Sequence, residues 1–198
     1  GSRTGRSVTP RNILISNSGL EYVQGVIDSA NAYDGSNTSY EDELRVGLVM
    51  ARITSSKKWV PCKRTTVLSG GGTVTTCVLT DARTFKVGDT ITINGDAITI
   101  TAINYTTNAI TWVGAQTIVN AEVVIAASGL AGAEIPRAIL NEFIKLKDED
   151  ATWRDKSFSL GLIRGFVDNS LILGDLTAIR AATNYLGSVL WADQQGYN

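Results

Sequence analysis

From Phe85 to Val113 the chain reads FKVGDTITINGDAITITAINYTTNAITWV. Apolar and polar residues alternate through Thr90–Ile93 and again through Ala97–Ile103, the period-2 signature of strands with one buried face. Asn94 and Gly95 fall between those runs, where a tight hairpin needs residues that accept positive φ. Asn108 then separates Ile103 from a third run, Ala109–Val113. Branched Thr and Ile crowd these runs, as expected for side chains packed on a pleated surface. The pattern predicts a small antiparallel barrel or sheet, flanked by strands at Thr73–Leu79 and Glu122–Ala126. Ser69–Gly72 is expected to be a glycine-rich loop dividing this section from the chain before it, and Ser128–Gly132 a flexible junction after it.

The same periodicity places elements on either side. Ile13–Ile15 reads as a short strand and Leu20–Ile27 as another, followed by a polar loop, Ser29–Glu43, turning at Asp34 and Gly35. Arg45–Ile53 (RVGLVMARI) is compact and apolar, and a turn at Ser55–Lys58 returns the chain into Trp59 and Val60, a second hairpin. Ala138–Leu146 is ambiguous, because Pro136 suits the first turn of a helix. The alternation of Phe143–Lys147 favours a strand. Phe158–Val167 is a further strand, joined to the previous one by a charged loop, Lys147–Lys156. Asp175 has the character of an N-cap. Leu176, Ile179, Thr183 and Leu186 recur behind it at helical spacing, and Gly187 suits a helix stop. Val189–Trp191 can return as a short strand. The expected class is mainly β, a β-rich α+β chain with a C-terminal helix.

Composition narrows the chemistry. The chain has 198 residues, of which 43% are hydrophobic and 19% charged, enough core material for a substantial domain. Eighteen Lys and Arg stand against 19 Asp and Glu, a net charge of −1. No long-range field then draws the protein toward nucleic acid or an anionic membrane, and neither is an expected partner. No apolar run approaches the ~20 residues of a membrane-spanning helix. No signal peptide is expected at the head of the chain, and two cysteines, too few for a disulfide framework, fit a protein made in a reducing cytosol. Cys62 and Cys77 fit reduced thiols. A hairpin turning at Ser69 and Gly70 would instead set them opposite each other.

Candidate sites are few. The chain has no His, which removes the commonest general base and metal ligand and excludes His-dependent serine or cysteine catalysis. Ala30–Glu41 has Gly35 and Glu41 where a calcium loop wants them, but Ala30 and Ala32 occupy ligand positions. Gly70–Gly72 lacks the Gly-Lys-Ser/Thr ending of a phosphate loop. Asp148, Glu149, Asp150 and Asp155 could do acid–base work if two faced a cleft, though such a run reads more simply as a solvated loop. Trp153, inside that loop, is the tryptophan expected to be most exposed. No enzyme activity, cofactor or metal is expected. Residues 1–12, GSRTGRSVTPRN, carry no apolar period and are expected to form a flexible arm.

The order of pieces is more specific than any one of them. It runs NILIS, GVIDSANAYDGSNT, RVGLVMARITSSKKWVPC, then AILNEFIKL, SLGLIRGFVDNSLIL and the capped helix. This order resembles the lambda-type head decoration proteins of tailed phages and prophages. The family's hairpin, "A-x-x-IL" strand, "RG-x-V" strand and closing helix with its last strand fall on Gly47–Pro61, Ala138–Glu142, Ile163–Val167 and Leu176–Trp191. The compact members lack a counterpart of Thr66–Ser128. The resemblance therefore implies a decoration-protein-like body, 13–65 and 129–198, carrying an inserted β-module, 66–128. It also implies a capsid-stabilising cement protein on the outside of an expanded virion capsid, a homotrimer seated at three-fold sites. The major capsid protein would be its partner, engaged by arm residues Ser7, Val8, Thr9, Pro10, Arg11, Asn12, Ile13 and Leu14 through strand pairing. A β-rich adhesion or carbohydrate-binding module, with exposed tryptophans on 66–128, is the alternative.

Overall fold

A computed structural model describes residues 12–182 and 189–192, with only the backbone at 17, 18, 128 and 189–192. The fold is mainly β, as the alternation predicted, and the described residues form two closed barrels with one short α-helix. The first barrel uses β1 (Leu14–Ile27), β3 (Val49–Arg52), β4 (Trp59–Pro61), β11 (Pro136–Leu140) and β13 (Lys156–Asp168). Its order is β1-β4-β3-β11-β13, and β13 pairs back onto β1 to close the ring. A final strand, β14 (Val189–Ala192), runs parallel to the end of β13, and a two-stranded ribbon joins β2 (Glu43–Leu44) to β12 (Ile144–Lys145). The helix α1 (Leu176–Ala181) is capped by Asp175, whose side chain accepts from Ala178 N.

The second barrel is built from β5 (Arg64–Ser69), β6 (Gly72–Leu79), β7 (Thr90–Ile93), β8 (Asp96–Asn104), β9 (Ala109–Ile118) and β10 (Val123–Ala126), in the closed order β10-β5-β6-β9-β8-β7. Its interior holds Ile91, Ile93, Ile98, Ile100, Ile110, Trp112 and Val124, the apolar halves of the alternating runs. The polar halves face outward and pair across strands, as in Thr90 Oγ1 with Thr99 Oγ1 at 3.3 Å. Asn94 and Gly95 turn the β7–β8 hairpin with φ of 52° and 86°, the primed turn that the strand twist favours.

Four expectations change. Ala138–Leu146 is not one strand: Pro136–Leu140 pairs in the first barrel, and Ile144–Lys145 pairs separately with β2. Ile13 stands just ahead of β1, and Leu14 and Ile15 belong with Leu20–Ile27 to that one strand, because register shifts against β13 absorb the residues between them without ending the pairing. Ser69–Gly72 is the β5–β6 turn within the second barrel, not a divider before it, since that barrel already begins at Arg64. The helix ends at Ala181, because Ala182 turns extended with φ −68° and ψ 116°. Thr183, Leu186 and Gly187 lie outside the described residues.

Strand β3 explains why RVGLVMARI looked continuous rather than alternating. Leu48 and Met50 join one core cluster while Val49 and Ala51 join another, so both faces of this strand are covered. Cys62 and Cys77 are free and sit in different clusters, Cys62 in the first barrel and Cys77 in the second. Burial pushes both thiols up, Cys77 to about 11. Neither should react with a thiol reagent at neutral pH until the protein is unfolded by denaturant, which absorbance titration with a chromogenic disulfide would show.

The barrels are tied by polar contacts. Lys63 N donates to Ala133 O, Thr84 Oγ1 to Cys62 O at 3.1 Å, and Gly35 N to Arg83 O. The Tyr33 and Tyr105 rings meet at 6.0 Å, and Arg64 Nε donates to Ala178 O at 2.8 Å. The polar loop at 29–43 is itself packed. Asp34, fully buried, takes a bidentate pair of bonds from Arg45 at 2.6 and 2.8 Å. Among the described residues no helix is long and apolar enough to cross a membrane.

Candidate functional site

The arm residues named from the resemblance divide at Asn12. Ser7, Val8, Thr9, Pro10 and Arg11 lie outside the described residues. Asn12 is exposed, and its Oδ1 accepts from Leu14 N at 3.0 Å, a local turn at the entry to β1. Ile13 is fully buried beside Val167, Ile172 and Ile179, and its carbonyl accepts from Asp168 N. Leu14 is half-buried and pairs with Val167. The Ile13 side chain is therefore committed within this chain. An aliphatic residue at the mouth of the barrel gains more from burial there than from a partner it would meet only intermittently. A register set on another strand would fall to residues before Asn12.

The same end of β13 holds the other end of the described chain. Gly165, Phe166, Val167 and Asp168 pair with Val189–Ala192 on one edge, while Val167 pairs with Leu14 on the other. The entry of β1 and the last strand thus flank one short stretch of backbone.

At its far end β1 meets β4 at a single pair, Ile27 with Trp59, and Asp28 N donates to Trp59 O. Before that pair the strands splay around a cleft of about 480 Å³. Residues 23–26 form one wall, and Arg52 with residues 56–59 form the other. Among the described residues no further strand pairing occupies this edge of β1. Trp59 packs edge-on against Phe158 at 5.4 Å, and its indole lies so close to Gly25 that a Cβ there would stand 2.4 Å from Nε1. Only glycine lets β1 approach the indole this closely.

The cations on the second wall are organised. Arg52 Nε donates to Lys57 O at 2.9 Å, and Lys58 bridges Asp155 at 2.5 Å. Asp155 also accepts from Ser29 N at 3.0 Å and Ser29 Oγ at 3.2 Å. The hydrogen bond from Lys58, then that from Ser29 N, holds the Asp155 carboxyl below its ordinary value. Because the folded value is depressed, this contribution is present above the unfolded carboxylate pKa of ~3.9 and lost as pH falls through the folded value. Asp155→Asn should therefore lower the urea midpoint slightly at pH 7, and the gap should close as pH falls below the unfolded carboxylate value of ~3.9 and through the depressed folded one. A gap that persists unchanged at low pH would assign the effect to something other than charge.

What this arrangement offers chemically is recognition: a splayed strand edge, an apolar floor and basic side chains. The carboxylates of the charged loop do not converge on it as a pair. Asp148 is bound by Arg154 at 2.5 Å and by Lys156, and Asp150 by Arg154 at 3.3 Å. Trp153, 38% exposed as expected of it, carries Lys147 Nζ over its ring at 4.8 Å. Among the described residues no group of three or more His, Cys, Asp or Glu side chains could hold a metal ion. The cleft was not foreseen from the sequence. Its only signal was the lysine pair in the Ser55–Lys58 turn, and nothing local said that residues 23–26 would face it. No family model, curated protein or solved structure matches this chain.

Proposed function

We propose that the protein is a structural component of a tailed-phage virion that binds the outside of an expanded capsid at three-fold sites and stabilises it. One observation supports this reading above the rest. Most of the segments that carry the family resemblance lie in or against the first barrel, in β1, β3, β4, β11, β13, α1 and β14, while the loop of GVIDSANAYDGSNT packs on the second barrel through Tyr33 and Gly35. The stretch without a family counterpart, Thr66–Ser128, supplies nearly all of a second closed barrel whose strands run from Arg64 to Ala126. An insertion that folds on itself leaves the body's connectivity intact, as a decoration protein carrying an extra module would require.

In this reading the polar arm ahead of Asn12 pairs with a strand of the major capsid protein, and three copies close around the three-fold axis. The carbohydrate-binding alternative lacks the support it called for. Trp112, the only tryptophan in 66–128, is buried inside the second barrel.

The test is co-sedimentation with emptied, expanded capsids. Removing residues 1–11 spares the Asn12 turn and the buried Ile13, so the melting temperature should hold. Capsid binding should weaken roughly tenfold or more, the equivalent of one or two main-chain hydrogen bonds lost. Undiminished binding of the shortened chain would move the attachment surface to the body. Failure of the full chain to bind such capsids would overturn the proposal. Sedimentation velocity with and without capsids reads the oligomeric state, and a trimer is expected.

A further inference from the structure

Lys63 stands at the passage from the first barrel into β5, and its side chain is fully buried. An ammonium in such a place is costly unless each proton is met. Lys63 Nζ has two partners among the described residues, Thr84 O at 2.7 Å and Asp89 Oδ2 at 2.6 Å. Asp89 is itself only 8% exposed, and the Phe85 ring lies 5.6 Å from Nζ. Asp89 Oδ2 also accepts from Lys86 N at 3.1 Å, while Oδ1 accepts no hydrogen bond among the described residues.

We propose that Lys63 and Asp89 condense into an intramolecular isopeptide bond, joining the start of β5 to the loop ahead of β7. The surrounding groups complement an amide better than an ion pair. An ammonium has three protons to satisfy and a carboxylate two oxygens. Among the described residues, one of those protons has no protein partner, and Oδ1 has none either and meets solvent at the edge of the pocket. An amide has one N–H and one carbonyl oxygen, and the pocket supplies one acceptor, Thr84 O, and one donor, Lys86 N.

The step balances without a co-reactant. A proton passes from the ammonium to the carboxylate across the 2.6 Å contact, leaving an amine beside a carboxylic acid. Burial pulls the lysine down from its usual value, against the opposing charge of Asp89. The Nζ lone pair then forms a bond to Asp89 Cγ. The second proton passes from nitrogen to Oδ1, giving a tetrahedral carbon with two hydroxyls. Oδ1 then takes the proton held on Oδ2, the bond from Cγ to Oδ1 breaks, and Oδ1 leaves as water. Oδ2 stays as the amide oxygen on Lys86 N–H, and the remaining N–H stays on Thr84 O. Net charge does not change.

The experiment is intact-mass measurement of the full chain under denaturing conditions, followed by tryptic mapping. The expected mass is that of the sequence less one water. The peptides Trp59–Arg64 and Val87–Arg137 should appear joined, with no cleavage after Lys63. Lys63→Arg and Asp89→Ala should each restore the full sequence mass. A wild-type chain at full mass and cleaved after Lys63 overturns the proposal, and this reading does not depend on either variant folding. A water lost at another position, or one still lost in both variants, overturns it equally.

Discussion

Asp175→Ala should destabilise the protein by about 3 kcal/mol or more and loosen the two barrels from each other. Asp175 is only 3% exposed, and its carboxylate serves both sides of the junction. Oδ1 accepts from Ala178 N at 3.0 Å and so caps α1. Oδ2 accepts from Thr66 N at 3.0 Å, Thr66 Oγ1 at 2.8 Å and Thr65 Oγ1 at 3.1 Å, all on β5. Loss of an N-cap costs ~1 kcal/mol. Charge-assisted bonds contribute ~1.5–3 kcal/mol, and donors stranded in a buried site add their own desolvation penalty. Asp175→Asn should recover only the cap, because its amide would point N–H at the Thr66 N–H. Urea denaturation followed by both tryptophan fluorescence and circular dichroism would measure this. Coincident transitions with a loss under about 1 kcal/mol would show that the packed surfaces, not this carboxylate, hold the barrels together.

A loss of about 3 kcal/mol or more is also expected for Gly47→Ala, for two separable reasons. Gly47 has φ of 96°, where an L-residue is strained by ~1–2 kcal/mol. A Cβ built there would stand 2.4 Å from Leu171 O, a backbone atom that cannot swing aside. The segment is also fixed from both sides: Gly47 N donates to Leu140 O at 2.8 Å, and Leu173 N donates to Gly47 O at 2.9 Å. Gly95→Ala is the control. Its φ of 86° imposes the conformational strain, yet no atom lies within 4 Å of the new methyl. Thermal melts of both variants should therefore differ by the contact term. Equal losses would mean that the backbone around Leu171 shifts freely, and that Gly47 matters only through its backbone angle.

Much of the second barrel could be read without coordinates. Its strands alternate over four or more residues, its hairpin carries Asn94 and Gly95, and both features act between near neighbours in sequence. The course of β1 was harder. Bulged registers such as the shift between Ser16 and Glu21 leave gaps in the alternation, so one strand looked like two. The helix was correctly started, because Asp175 caps within three residues of itself. Its end was misplaced, because Ala182 turns extended although the apolar spacing ran on to Leu186.

The candidate surface was legible only at its margins. The polar arm and the lysine turn are local features of composition. That Ile13 belongs inside, and that residues 23–26 open onto Arg52 and Lys58, depends on strands brought together across the barrel.

The sequence by itself determined the β class, the hairpins at Val49–Pro61 and Thr90–Asn104, the start of α1 and the free state expected of both cysteines. Each rests on side-chain period or a turn residue whose preference operates over a few bonds. Tertiary structure decided that β1 would close a ring onto β4 through one pair, that the second barrel would be complete in itself, and that Lys63 would be sealed against Asp89. Those outcomes depend on contacts between residues far apart in the chain. Their loop-closure cost is met by the whole core at once, and no local pattern records which distant strand will share it.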